Sequence, residues 1–145
     1  MKTQDQNSVK PDTQSCQMAV SGSIILPTHL RIGNIVNLLS GEEDYYEIRS
    51  FDNEVMSFKG HISWDYIGYD EVEAIPITKE WLLKLGFKQK GSFYRIEDSR
   101  FVEVLIHDEG IDVCNHSVYL PHIKSVYQLQ NLYFSLTGSE LRLVL

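Results

Sequence analysis

The apolar and polar positions of this chain change rhythm several times, and the changes mark its elements. Residues 1–23 are rich in Gln, Ser, Thr and Asp with almost nothing to bury, and read as a disordered leader. Met18, opening MAVSGS, is an alternative start within it. Apolar positions begin near Ile24, and Leu30 to Leu39 is a β-rich run with a bend or bulge expected at Gly33-Asn34. After a polar turn at Gly41 to Asp44, Tyr46, Ile48 and Ser50 alternate against Tyr45, Glu47 and Arg49, the period of a strand. Asp52-Asn53 signals a hairpin back into Val55 to Lys59. His61 to Val72 has no clear period and predicts irregular structure with one short strand and a turn.

From Pro76 the pattern turns helical. Thr78 is a good N-cap for Lys79 to Leu85, which places Trp81, Leu82 and Leu85 on one face, and Gly86 is set to end the helix. Phe93 to Glu97, Phe101 to His107 and Ile111 to Tyr119 then form a meander, with FVEVLIH the most apolar and central strand. Pro121 is expected to open a last helix running to about Thr137, with Ile123, Val126, Gln130, Tyr133 and Thr137 along one side. Gly138 stops it, and LRLVL either adds an edge strand or hangs loose.

The fold class is therefore α+β. It comprises a small N-terminal bent antiparallel sheet or SH3-like barrel, a short helix, and a three-stranded antiparallel meander packed by a C-terminal helix. The chain divides into the leader 1–23, a β subdomain 24–76 and a helix-meander-helix subdomain 77–145.

Charge narrows the function classes. The formal net charge is −7 and the thirteen Lys and Arg are scattered, Lys84, Lys88 and Lys90 being the nearest to a cluster. That is not the footprint of a protein that tracks phosphates, so nucleic acid is not the expected partner. An acidic decoy for a nucleic-acid-binding protein is a third reading, but −7 over 145 residues is a weak charge density for mimicry. No apolar run reaches the roughly 20 residues that span a bilayer, and no signal-peptide core follows Lys2 and Lys10. The expected setting is the cytoplasm of a host cell or a virion, with no membrane partner. Two cysteines, Cys16 and Cys114, read as free thiols.

The candidate chemistry is thin. Cys114 and His116 at i, i+2 would share a strand face, with His107, Asp108, Asp112 and His122 near in sequence. Zinc wants three or four convergent ligands, usually including a CxxC or HxxxH pair, and neither spacing occurs. A Cys114–His116 nucleophile pair lacks both reach and an oxyanion donor. Glu42, Glu43, Asp44 and Glu47, like Asp70, Glu71 and Glu73, lack the spacing of a calcium loop and read as solvated turns. No catalytic residue, metal ligand or cofactor is assigned. The aromatics Tyr45, Phe51, Phe58, Trp64, Tyr66 and Tyr69 are dense for so small a sheet, and most of them are needed as core. Trp64, Tyr66 and Tyr69 lie in the aperiodic, glycine-flanked segment and form the candidate protein interface.

Four blocks add a resemblance. LRIGN, AIPIT, ITKEWLLKLGF and VYQLQNLYFSLTGSEL, in that order from Leu30 to Leu141, resemble a family of short uncharacterised proteins of gut Bacteroidetes, often found among phage or mobile-element genes. The resemblance implies the same order of elements and a phage-linked origin, and it transfers no catalytic residues. Together these readings lead to a non-enzymatic macromolecule-binding protein, a virion component or an accessory factor acting on a host protein. The alternative is a small enzyme or nucleotide-binding protein with a distributed site.

Overall fold

The structure, a computed structural model, describes residues 25–43, 45–60, 67–97, 102–107 and 110–144. It is an α+β fold of two five-stranded antiparallel sheets and a C-terminal helix.

The first sheet comprises β1 (Ile35–Leu38), β2 (Tyr46–Phe51), β3 (Val55–Phe58), β4 (Ile67–Gly68) and β5 (Val72–Glu73), in the order β4-β3-β2-β1-β5. A 3-10 turn at Tyr69–Glu71 links β4 to β5, which returns to pair with β1, the strand order of an SH3-like barrel. Only the second half of Leu30 to Leu39 is strand. Pro27–His29 is a 3-10 turn, and the Asn34 carboxamide accepts the Arg31 amide at 2.8 Å, bending the chain just before β1. Tyr46 and Ile48 point inward as their alternation requires, but the register of β2 against β3 shifts between Ile48 and Ser50. That bulge turns Ser50 outward, where its hydroxyl meets that of Ser57 at 2.7 Å. The Asp52 carboxylate closes the β2–β3 hairpin by accepting the amides of Glu54 and Val55 at 2.8 and 3.0 Å. These two bonds hold its pKa below the usual carboxylate value.

Helix α1 (Lys79–Lys84) starts where Thr78 Oγ1 accepts the Trp81 amide at 3.3 Å. Gly86 ends it at φ +83°, a conformation that strains any residue with a Cβ, and the Phe87 amide reaches back to the Leu82 carbonyl at 2.9 Å.

The second sheet is the meander, extended at both edges beyond three strands. Its strands are β6 (Lys88–Lys90), β7 (Phe93–Arg95), β8 (Glu103–His107), β9 (Gly110–Asn115) and β10 (Val118–Tyr119), paired in sequence order. Lys88-Gln89-Lys90 carries no apolar residue and so gave no strand signal. It is an edge strand, and lysines at an edge deter further pairing. The stretch Ile111 to Tyr119 is two strands rather than one. His116 and Ser117 sit at φ +46° and +69° and form a two-residue hairpin turn of the kind that matches strand twist.

The last helix, α2 (Val126–Thr137), begins five residues later than Pro121. Residues 123–125 are held extended instead. The Ile77 amide donates to the Lys124 carbonyl at 3.1 Å, and the Val126 amide to the Ile75 carbonyl at 2.9 Å. The start signal is Ser125-x-x-Gln128, whose glutamine accepts the Ser125 amide at 3.1 Å and the Lys124 amide at 2.9 Å. Gly138 ends the helix, its amide donating to the Phe134 carbonyl at 2.8 Å.

Two clusters of buried side chains hold the fold. One centres on Ile48, Met56, Phe58 and Val36 of the first sheet, the other on Phe87, Val104, Val113 and Leu82. α2 serves both, because Tyr127 belongs to the first cluster while Val126 and Leu129 belong to the second. Residues 141–144 of the LRLVL segment are neither strand nor loose: Leu141 is buried in the second cluster and the Val144 amide donates to the Lys84 carbonyl at 2.8 Å. No helix among the described residues is long and apolar enough to cross a membrane.

Candidate functional site

Concave surface gathers on the first sheet, where the β1–β2 turn folds back. Tyr46 shapes that turn. Its hydroxyl accepts the Glu43 amide at 3.2 Å, and a Cβ at Gly41 would lie 2.7 Å from its ring, so only glycine passes there without displacing the tyrosine. The resulting cleft has a volume of about 830 Å³ and is lined by Leu38, Gly41, Glu42, Glu43, Tyr46 and Ile67. A second concavity of about 500 Å³ adjoins it and reaches Gly33, Gln130, Glu140, Arg142 and Leu143. Tyr45, Glu47 and Lys59 line both, forming a saddle between them.

The saddle is built from neighbouring strands. The Lys59 amide donates to the Glu47 carbonyl at 2.9 Å, and the Lys59 ammonium lies 3.3 Å from the Glu47 carboxylate. Both side chains are well exposed, so the pair contributes little to stability and each charge can exchange partners at small cost. Tyr45 stands edge-on to Trp81, ring centroids 5.6 Å apart, which fixes the ring from behind. At the far end, Arg31 lies 3.7 Å above the Phe134 ring and pairs with Glu140 at 2.8 Å. The saddle thus offers a braced aromatic ring, a carboxylate-rich rim and an exposed lysine.

Of the three aromatics singled out from the sequence, Trp64 and Tyr66 lie outside the described residues. The chain runs into their segment from Gly60 and out of it at Ile67, and both of these line the larger cleft. Tyr69 is half-buried against the first core cluster, and its hydroxyl donates to the Asp52 carbonyl at 2.5 Å. Burial, then the nearby Asp52 charge, pushes that phenol up. Its hydroxyl ties the 3-10 turn to the β2–β3 hairpin.

The Cys114 and His116 pairing does not form on one strand face. His116 sits in the β9–β10 turn while Cys114 stays on β9. Burial, then the charges of Asp112 and Glu103, raises the Cys114 thiol above its ordinary pKa, the reverse of nucleophile activation. His107 and Asp112 do meet, at 3.3 Å, and Asp112 hydrogen-bonds Tyr119, while His122 is exposed on a separate turn. Asp108 lies outside the described residues, among which no three His, Cys, Asp or Glu side chains converge as ligands. Of the three lysines nearest to a basic cluster, Lys84 pairs with Glu80 and Lys88 with Glu97.

Sequence reading missed Glu47, Lys59 and Gln130 as cleft residues. Glu47 and Lys59 follow from strand alternation plus hairpin register, which places them opposite each other only once the bulge is known. No local signal marks Gln130, two of whose three backbone partners are 95 and 97 residues away. No family model matches the chain, and no curated protein or solved structure matches it.

Proposed function

We propose that this chain is a non-enzymatic binding protein that engages a protein partner through the saddle at Tyr45, Glu47 and Lys59. The observation that carries the reading is the composition of that surface. A ring fixed from behind gives contact area with little entropy loss, and an exposed ion pair can re-pair with a partner's charges. Glu42 and Glu43 on the rim suit a partner segment bearing basic side chains. Trp64 and Tyr66, large amphipathic side chains favoured at binding hot spots, belong to a segment whose two ends meet the cleft wall. The resemblance of the four sequence blocks supports a phage or mobile-element setting, as a virion component or an accessory factor acting on a host protein.

The test is capture from a host lysate with wild type, Lys59→Glu and Trp64→Ala. Both variants are expected to keep the wild-type melting temperature and to lose the captured partner. Equal capture by all three would remove the saddle from the interface.

A further inference from the structure

The second sheet turns one face to the core and the other outward, and the outward face has a pattern of its own. Side chains directly opposite each other in a sheet share a face. The register therefore sets one outward row as Lys90, Phe93, Leu105 and Asp112, and a second as Lys88, Arg95, Glu103, Cys114 and Tyr119. Their neighbours Tyr94, Val104 and Val113 point the other way and are buried. Leu105 belongs to neither core cluster, and Phe93 and Tyr119 are 39% and 49% exposed. An apolar centre with a charged margin is the anatomy of an interface.

The charges are sorted across the strands. Lys88, Lys90 and Arg95 stand on β6 and β7, and Glu103 and Asp112 on β8 and β9. Glu97, two residues beyond β7, pairs with Lys88, Arg95 lies 3.4 Å from Glu103, and His107 faces Asp112. A face that is basic on one half and acidic on the other complements itself. We propose that a second copy of this chain packs on this face, about a two-fold axis lying parallel to the strands between β7 and β8. That operation keeps each residue in its row and exchanges β6 with β9 and β7 with β8. Lys90 then faces Asp112 of the other copy, Phe93 faces Leu105, and Arg95 faces Glu103. Each contact occurs twice, as an isologous interface requires, and the strands stay nearly aligned, as in face-to-face sheet packing. An axis perpendicular to the strands would instead set β6 against β6 and lysine against lysine.

Five strands roughly 4.8 Å apart and a five-residue β8 outline a platform of about 20 by 17 Å. This is small beside the ~800 Å² that each partner buries in a standard interface, so the dimer is weak and concentration-dependent. The surface is separate from the saddle, so the proposal stands or falls independently of the partner bound there.

Sedimentation equilibrium of the full chain, up to about 500 µM, is the test. Wild type is expected to dimerise, and Lys90→Glu and Asp112→Lys each to weaken self-association at least tenfold. An equimolar mixture of the two variants should recover it, because each altered charge then faces its opposite. Since Asp112 also holds His107 and Tyr119, a zero-length carbodiimide cross-link between Lys90 and Asp112 is sought in mixed isotope-labelled and unlabelled wild type. A labelled–unlabelled cross-link supports the interface. A chain that stays monomeric throughout, a dimer indifferent to Lys90→Glu, or no recovery from two folded variants overturns it.

Discussion

The Ile35 amide donates to the Gln130 side-chain oxygen at 2.8 Å, joining the first strand to the last helix across 95 residues of sequence. The same carboxamide donates to the Gly33 carbonyl at 3.2 Å and the Leu141 carbonyl at 3.0 Å. Gln130 is 1% exposed, and the buried Ile35 amide and Leu141 carbonyl depend on it rather than on water. Next to it, Asn131 donates to the His29 carbonyl at 2.8 Å and accepts from the Asn34 carboxamide at 3.0 Å.

Replacing Gln130 by Leu should therefore cost far more than its lost contacts. It strands the buried Ile35 donor and Leu141 acceptor and the part-buried Gly33 acceptor, and about 3 kcal/mol is expected from denaturant melts. Gln130→Glu should be worse at neutral pH than in acid. A buried carboxylate facing two carbonyls has its pKa raised, so the variant is least impaired below the ordinary glutamate pKa and loses stability as pH rises through the elevated one. A pH-independent loss would show that the carboxamide donors are not what matters.

The hairpin at Asp52 makes the opposite prediction. Two amides lower its pKa in the folded state, so its contribution is present above the ordinary aspartate pKa and disappears as pH falls through the lowered one. NMR titration of the Asp52 carboxyl should give a midpoint below that of an unstructured aspartate. Asp52→Ala should increase amide exchange at Glu54 and Val55.

Core packing distinguishes the residues of α2. Leu129 is fully buried, and Leu129→Ala should cost about 2–5 kcal/mol. Leu132 only borders the second cluster, so Leu132→Ala should cost less. Equal losses would mean that the helix sits differently against the meander.

Thiol chemistry gives a further measurement. The raised pKa of Cys114 predicts slow alkylation in the native protein at neutral pH, followed peptide by peptide by mass spectrometry. Reaction as fast as in denatured protein would contradict its environment.

For Trp64 and Tyr66, thermal melts of the alanine variants separate contact surface from core. Unchanged melting with lost partner capture is the expected outcome, and a large fall in both would mean that the rings fill the first sheet instead.

Much of the architecture was legible because its signals are local. The Thr78 cap, the Gly86 and Gly138 stops and the Asp52 turn each act within a few residues and lie where the sequence placed them. The errors share a different cause. Pro121 looked like a helix start, but pairing with Ile75 to Ile77 holds the chain extended until Ser125. His116-Ser117 lacks the usual glycine or asparagine of a tight hairpin turn, so the break between β9 and β10 was invisible. The saddle was hidden because Tyr45, Glu47, Lys59 and Gln130 converge only through the β2 bulge and the docking of α2.

The Gln130 clamp also bears on how the protein is made. The first sheet leaves the ribosome long before α2, yet its core takes Tyr127 and its first strand borrows a hydrogen bond from Gln130. Until those residues emerge, Ile35, Gly33 and the surface that Tyr127 covers are open to water and to other nascent chains. Contacts of such long sequence separation slow folding, because a large loop must close before it is rewarded. The chain is therefore most exposed to misassembly during its own synthesis, and a chaperone that shelters the first sheet until α2 docks would raise the yield of folded protein more than one acting after release.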